Sequence, residues 1–123
     1  MEQSPRVLIV EDEVIIAMSL QMELQAVGYS VNQPVSTGEA AISIVQQEMP
    51  DVILMDISLA GKVDGIEAAQ QIWELADVPI IFMTGYPDHT VEKRTKQLNP
   101  LGYFIKPIQI SAIKSLIESI QGK

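Results

Sequence analysis

Four apolar runs in this chain each end in a group able to do ionic chemistry. Val7-Leu8-Ile9-Val10 leads into Glu11-Asp12, Val52-Ile53-Leu54-Met55 into Asp56, Ile80-Ile81-Phe82-Met83 into Thr84, and Tyr103-Phe104-Ile105 into Lys106. A carboxylate ending a buried run is costly unless something nearby wants its charge, so Asp56 needs partners. If the runs are parallel strands, their carboxyl ends meet in one crevice, where open α/β sheets place ligands. Three carboxylates, a hydroxyl and an ammonium gathered there suit a hard cation and a phosphoryl group.

The elements that must position these groups follow from the hydrophobic pattern. Apolar runs of strand length alternate with segments of helical period, which predicts repeated βα units. Strands are expected at Arg6–Val10, more weakly at Tyr29–Gln33, then at Val52–Asp56, after Pro79, and at Leu101–Ile105. Helices are expected from Val14 to a stop at Gly28, from the S-x-x-E pattern of Ser36 to Glu39 until before Pro50, and from Asp64 to about Ala76. Two more follow, a polar one after Asp88 to about Leu98 and an amphipathic one from about Gln109 to Ile120. Asn99-Pro100 is the break between the last helix pair's units.

Composition narrows the function. The 123 residues fit one core, and the hydrophobic share of 47% suffices for a sheet covered on both faces, so residues 1–123 are expected to form a single domain. Eight basic against sixteen acidic residues leave a formal charge of −8, which repels nucleic-acid phosphates and argues against direct DNA or RNA binding. There is no cysteine, hence no thiolate nucleophile or thiolate metal site. No apolar stretch approaches the roughly 20 residues of a membrane helix, and Met1-Glu2-Gln3-Ser4 is unlike a secretory signal, so a cytoplasmic protein is expected. The cluster Lys93-Arg94-Thr95-Lys96 reads as a solvated helix face, His89 as an exposed residue without catalytic duty, and Trp73 and the six methionines as core or helix-face packing.

Taken in order, Val10-Glu11-Asp12-Glu13, Leu54-Met55-Asp56, Asp64-Gly65, Met83-Thr84-Gly85 and Gly102-Tyr103-Phe104-Ile105-Lys106-Pro107 resemble the motifs of a response-regulator receiver domain of two-component signalling. The resemblance covers essentially the whole chain. It implies a CheY-like, flavodoxin-like (βα)5 fold, a parallel sheet in the order 2-1-3-4-5 with helices on both faces. It also implies that Asp56 accepts a phosphoryl group from a phosphohistidine on a sensor histidine kinase or histidine phosphotransfer protein. Mg2+ would be held by Glu11, Asp12, Asp56 and the backbone carbonyl of Ser58, with Lys106 and Thr84 meeting the phosphoryl oxygens. Thr84 and Tyr103 would form the switch: the hydroxyl moves toward the phosphoryl group and the aromatic ring turns inward, controlling an output domain or downstream protein. A cis Lys106-Pro107 bond is part of the same resemblance. Beyond its own phosphotransfer and dephosphorylation, no enzyme activity is implied.

Two features depart from the common pattern. The loop Ile57 to Val63 is one residue longer than in many receivers and lacks a Met-Pro pair. Thr84-Gly85-Tyr86 resembles a receiver subset, and a bulky Tyr86 is expected to shield the acyl phosphate. Three other readings stay open. An aspartyl-phosphate phosphatase of the haloacid-dehalogenase type would want a second aspartate where Ser58 stands. A flavodoxin-like cofactor binder would want a hydroxyl- and glycine-rich loop in place of Glu11-Asp12-Glu13. A degenerate receiver would act only as a docking module. A homodimer formed on phosphorylation is compatible with the family but no residue in the sequence points to it.

Overall fold

The computed structural model describes residues 4–59 and 61–121; Met1, Glu2, Gln3, Ala60, Gly122 and Lys123 lie outside that range. Ten elements alternate along the chain: β1 (Arg6–Val10), α1 (Val14–Ala26), β2 (Ser30–Val31), α2 (Gly38–Gln47), β3 (Val52–Asp56), α3 (Gly65–Leu75), β4 (Ile80–Thr84), α4 (His89–Gln97), β5 (Gly102–Ile105) and α5 (Ile110–Gln121). The strands pair in parallel in the order β2-β1-β3-β4-β5. This is the doubly wound architecture that the alternation of elements predicts.

The pleat divides each central strand between two cores, because successive side chains point to opposite faces. Leu8, Val10, Ile53, Met55, Ile80 and Phe82 pack with Ala41 and Val45 of α2 and Ile66, Ala69 and Ile72 of α3. Val7, Ile9, Val52, Leu54, Ile81 and Met83 pack with Ala17, Leu20 and Leu24 of α1 and Ile113 and Ile117 of α5. Strands covered on both faces have no polar alternation to keep, which is why their sequences are unbroken apolar runs. Trp73 stands edge-on to Phe82 at 6.3 Å, and its indole N–H donates to the Val78 carbonyl at 2.8 Å.

Several local expectations are corrected. Strand β2 is only Ser30–Val31, because after it Asn32 still donates to Val7 but the chain then veers away, returning at Val35 to bridge Val10. Helix α2 is capped by Thr37, not Ser36: its side chain accepts from the Ala40 amide at 3.1 Å, so the S-x-x-E box does not form. The Asp64 start is a full capping box, with Asp64 accepting from the Glu67 amide and the Glu67 side chain accepting from the Asp64 amide. Met55 and Met83 are core, but Met18, Met22 and Met49 are exposed, and Met1 is outside the described residues. The apolar positions of α1 do not form one stripe: Ala17, Leu20 and Leu24 are buried while Val14, Ile15, Met18 and Met22 face solvent.

Gly65 is where α3 meets the sheet. A Cβ there would stand 2.0 Å from the Asp56 carbonyl oxygen and 2.8 Å from the Ile57 Cα, both backbone atoms that cannot step aside. Gly28 ends α1 at φ 101 with open space around it, so there only the left-handed backbone asks for glycine. Gly65→Ala is therefore expected to destabilise by about 2 kcal/mol or more through overpacking, and Gly28→Ala by about 1 kcal/mol through backbone strain alone. Urea denaturation of both variants checks this; equal costs would show that space at Gly65 is not limiting.

Candidate functional site

Strand register sets the site. Val10 pairs with Met55, which brings Glu11 level with Asp56; Asp56 pairs with Met83, and Thr84 with Ile105, so Thr84 and Lys106 follow one step further on. Two backbone bonds fix the exits: Glu11 N–H donates to the Val35 carbonyl at 2.9 Å, and Lys106 N–H to the Thr84 carbonyl at 2.8 Å. The sheet thereby carries Glu11, Asp56 and Thr84 to its carboxyl edge while keeping them only 2%, 3% and 2% exposed. Asp12, one residue beyond Glu11, is exposed.

Lys106 reaches back between the two buried acids. Its Nζ donates to Asp56 Oδ2 at 3.0 Å and to Glu11 Oε1. Asp56 Oδ1 accepts the Ser58 amide at 3.0 Å, and Glu11 Oε2 accepts the Glu13 amide at 3.1 Å. One ammonium facing two carboxylates leaves an excess negative charge in a poorly solvated place. Burial, with the proton that Glu11 can share with Asp56, pushes Glu11 up from 4.5 to about 7, against the opposing pull of Lys106. Burial alone would lower Lys106, but its bonds to Glu11 and Asp56 outweigh that and raise it, so the ammonium stays charged.

A cation site fits the same residues. Carboxylate oxygens of Glu11, Asp12 and Asp56 lie within 4.8 Å of one another, an all-oxygen, charge-rich set of the kind a small hard ion takes alongside water. The set opens on a groove of about 680 Å³ between α1 and the segment after β5, walled by Ile15, Ile16, Leu20, Pro107 and Ile108. Asp12, Glu13 and Glu23 line it, and Lys106 is the single base among its lining residues.

Of the residues the sequence singled out, Glu11, Asp12, Asp56 and Lys106 come together, with Ser58 bonded to Asp56. Thr84 is buried at the next strand end, its Oγ1 accepting the Tyr86 amide at 3.2 Å. Tyr103 is half-buried against the core on the α2–α3 side. Tyr86 is 84% exposed at the rim of the groove, so it does not cover Asp56 as a shield would. His89 is exposed, as are Lys93, Arg94 and Lys96, but Thr95 within that cluster is wholly buried. The Lys106-Pro107 bond is cis. Sequence reasoning did not find Val35, whose carbonyl holds the Glu11 backbone, since no periodicity marks an isolated bridge. It also missed the groove walls Ile16 and Ile108, which look like any other helix-face apolar residues.

Comparison with known proteins adds a consistent picture. The family model for the response regulator receiver domain matches residues 7–118. The transcriptional regulatory protein PdtaR of Mycobacterium tuberculosis is 32% identical over 113 residues, 92% of this chain and 55% of that protein. The phyllosphere-induced regulator PhyR of Methylorubrum extorquens is 30% identical over 94% of this chain and 43% of its own length. The chain thus spans about half the length of the curated relatives it matches. Among solved structures, the signal receiver domain of a modulated diguanylate cyclase from Desulfovibrio desulfuricans superposes with a TM-score of 0.89 at 37% identity, covering 95% of this chain and 93% of that one. A CheY-like receiver domain protein from Methanospirillum hungatei shares the fold, with a TM-score of 0.88 at 23% identity and 98% of each chain covered.

The buried proton of Glu11 gives the site a pH signature. A carboxyl whose pKa is raised on folding keeps its proton in the folded state after the unfolded chain has lost it, so stability falls as pH rises from 4.5 through about 7 and is level above. Glu11→Gln keeps an acceptor for Lys106 and removes the titration. In a chelator at pH 8 this variant is expected to melt about 5 °C or more above wild type, and near pH 4.5 the two should converge. Differential scanning calorimetry across that range checks it; a wild type whose melting point rises between pH 5 and 8 relative to the variant would reverse the sign.

Proposed function

Because the chain belongs to the response regulator receiver domain family, we propose that Asp56 is its phosphoacceptor and that residues 1–123 act as one phosphoacceptor domain of two-component signalling. Receiver domains are signalling domains, not enzymes with an external substrate turned over. The observation carrying the reading is the buried Asp56 carboxylate, paired to Lys106 beside Glu11 and Asp12 and facing an open groove.

In the proposed step an Asp56 oxygen bonds to phosphorus as the P–N bond of a phosphohistidine breaks and the imidazole leaves with the electron pair. Lys106, freed from Asp56 Oδ2, follows the charge to a phosphoryl oxygen, and Thr84 offers its hydroxyl proton to another. Glu11, Asp12, Asp56 and the Ser58 carbonyl would hold Mg2+. When bound there, the ion would supply positive charge against the phosphoryl group and the attacking carboxylate. The protein otherwise contributes position: the sheet edge fixes the acceptor, and water later hydrolyses the acyl phosphate. Thr84 and Tyr103 are the proposed switch residues that report the modification to an output domain or downstream protein.

The donor protein is proposed to cover the outer ridge of α1. Ile15, Met18 and Met22 are 83%, 54% and 66% exposed on this helix, and Ile15 lines the groove that leads to Asp56. That helix carries Glu23 and no basic residue, which favours a partner whose apolar face is flanked by lysine or arginine. The phosphatase reading is disfavoured by Ser58, which supplies no carboxyl where a general acid is needed. Among the described residues no helix is long and apolar enough to cross a membrane.

Two measurements test the reading. Incubation with Mg2+ and acetyl phosphate is expected to give one labile phosphoryl adduct by intact-protein mass spectrometry, lost in Asp56→Asn and in a chelator. No adduct on a folded protein would leave a docking module, and release of phosphate over many turnovers without an adduct would favour the phosphatase. Calorimetric titration with Mg2+ is expected to show affinity rising with pH up to about 7, because a bound cation must displace the Glu11 proton. Affinity independent of pH from 6 to 8 would remove Glu11 from the cation site.

A further inference from the structure

The candidate site occupies the carboxyl edge of the sheet, whereas the amino edge is shaped by prolines. Pro5 and Pro79 immediately precede β1 and β4, and Pro50 and Pro100 stand two residues before β3 and β5. Proline brings no N–H, so these entries present no amide that must be satisfied. Their acceptors are largely spent as well: the Pro5 carbonyl accepts the Ser30 amide and the Pro79 carbonyl the Ile53 amide, both at 3.0 Å. What remains at this edge is apolar surface that covering would not rob of hydrogen bonds.

Two cavities open there. One of about 520 Å³ is lined by Trp73, Asp77, Pro79, Pro100 and Leu101, the other of about 340 Å³ by Pro5, Asp51, Ile117 and Gln121. Both also touch Pro79 and Ile120, so they adjoin as one furrow across the starts of the strands, bounded by the last turn of α5. Each lies within the roughly 300–1,000 Å³ of ordinary ligand sites, and their end-to-end arrangement suits an extended chain better than a compact molecule. Trp73 is held in place, its N–H on the Val78 carbonyl and its ring against Phe82. Charge in the furrow has one sign. No basic residue lines either cavity among the described residues. Asp51 accepts the Arg6 amide at 2.7 Å, but Asp77 is exposed and has no ion-pair partner among the described residues.

We propose that this amino-edge furrow binds a short peptide segment of a partner protein, one that carries bulky apolar side chains beside a lysine or arginine. The apolar side chains seat against Trp73, Pro79 and Ile120, and the cation meets Asp77. Burial of apolar surface supplies the attraction, and the acid sets the preference for a basic over an acidic segment. The furrow and Asp56 stand at opposite ends of the strands, with Pro79 before β4 and Thr84 at its end. Binding here therefore does not depend on Asp56 being a phosphoacceptor.

Trp73 is the only tryptophan in the chain, so its fluorescence reports on the furrow directly. Titration of the full chain with the peptide acetyl-Lys-Leu-Leu-Lys-amide is expected to give a saturable shift of Trp73 emission to shorter wavelength as the ring loses water. The peptide acetyl-Glu-Leu-Leu-Glu-amide is expected to bind at least about tenfold more weakly, and Asp77→Lys to weaken the lysine peptide by at least about tenfold. Hydrogen exchange with the lysine peptide bound is expected to slow at residues 98–102 and 117–121. Failure of the emission to shift saturably would overturn the proposal, as would equal binding of the two peptides or an Asp77→Lys protein that binds the lysine peptide unchanged. Slowed exchange confined to residues 14–23 would also overturn it, because the peptide would then lie on α1.

Discussion

Two carboxylates brought to the same level of adjacent strands repel one another unless a cation stands between them. That constraint organises this molecule. Val10 opposite Met55 leaves no freedom in where Glu11 and Asp56 emerge, and both are almost free of solvent. Lys106 resolves the conflict from a third strand, two positions across the sheet, and it can do so only because β4 and β5 hold the register that delivers it. The result is a site charged on purpose and only partly compensated: one ammonium for two acids, with the remaining imbalance taken up by a proton on Glu11. A divalent cation would complete the compensation, so the same excess of negative charge would favour its binding.

Much of this was legible in the sequence, for identifiable reasons. Central parallel strands must be apolar on both faces, so Val7–Val10, Val52–Met55 and Ile80–Met83 announce themselves, and the first polar residue after each must lie at one edge. The Asp64-Gly65 start was readable because a capping box is a local interaction. What failed to show depended on tertiary contacts. Strand β2 is an edge of two residues held by backbone bonds that any sequence can make, and Val35 rejoins β1 by the same means. Thr37 rather than Ser36 caps α2, and the helix start packs closely, since a Cβ on Gly38 would stand 2.9 Å from Ala68 Cβ.

Helices α1 and α4 depart from amphipathic expectation in opposite directions. Helix α1 is apolar on both sides, more hydrophobic than its own packing needs, and one residue of that surplus, Ile15, lines the groove. Helix α4 is polar nearly all round and has less apolar surface than firm docking needs. Each deviation is paid for in solubility or local stability, and neither contributes to the core. Departures from local consistency tend to collect where a protein works, and here they frame the strand ends that carry Asp56 and Thr84.

The acidic lining of the groove sets the kinetics of arrival. Asp12, Glu13 and Glu23 stand around a mouth with Lys106 alone on the other side of the ledger, in a chain of formal charge −8. Any small anion approaching Asp56 meets a repulsive field that added salt weakens, whereas a cationic protein surface is drawn in and loses that advantage as salt rises. The same three side chains therefore filter by sign: small anions are slowed at the mouth, and a basic surface is drawn toward it.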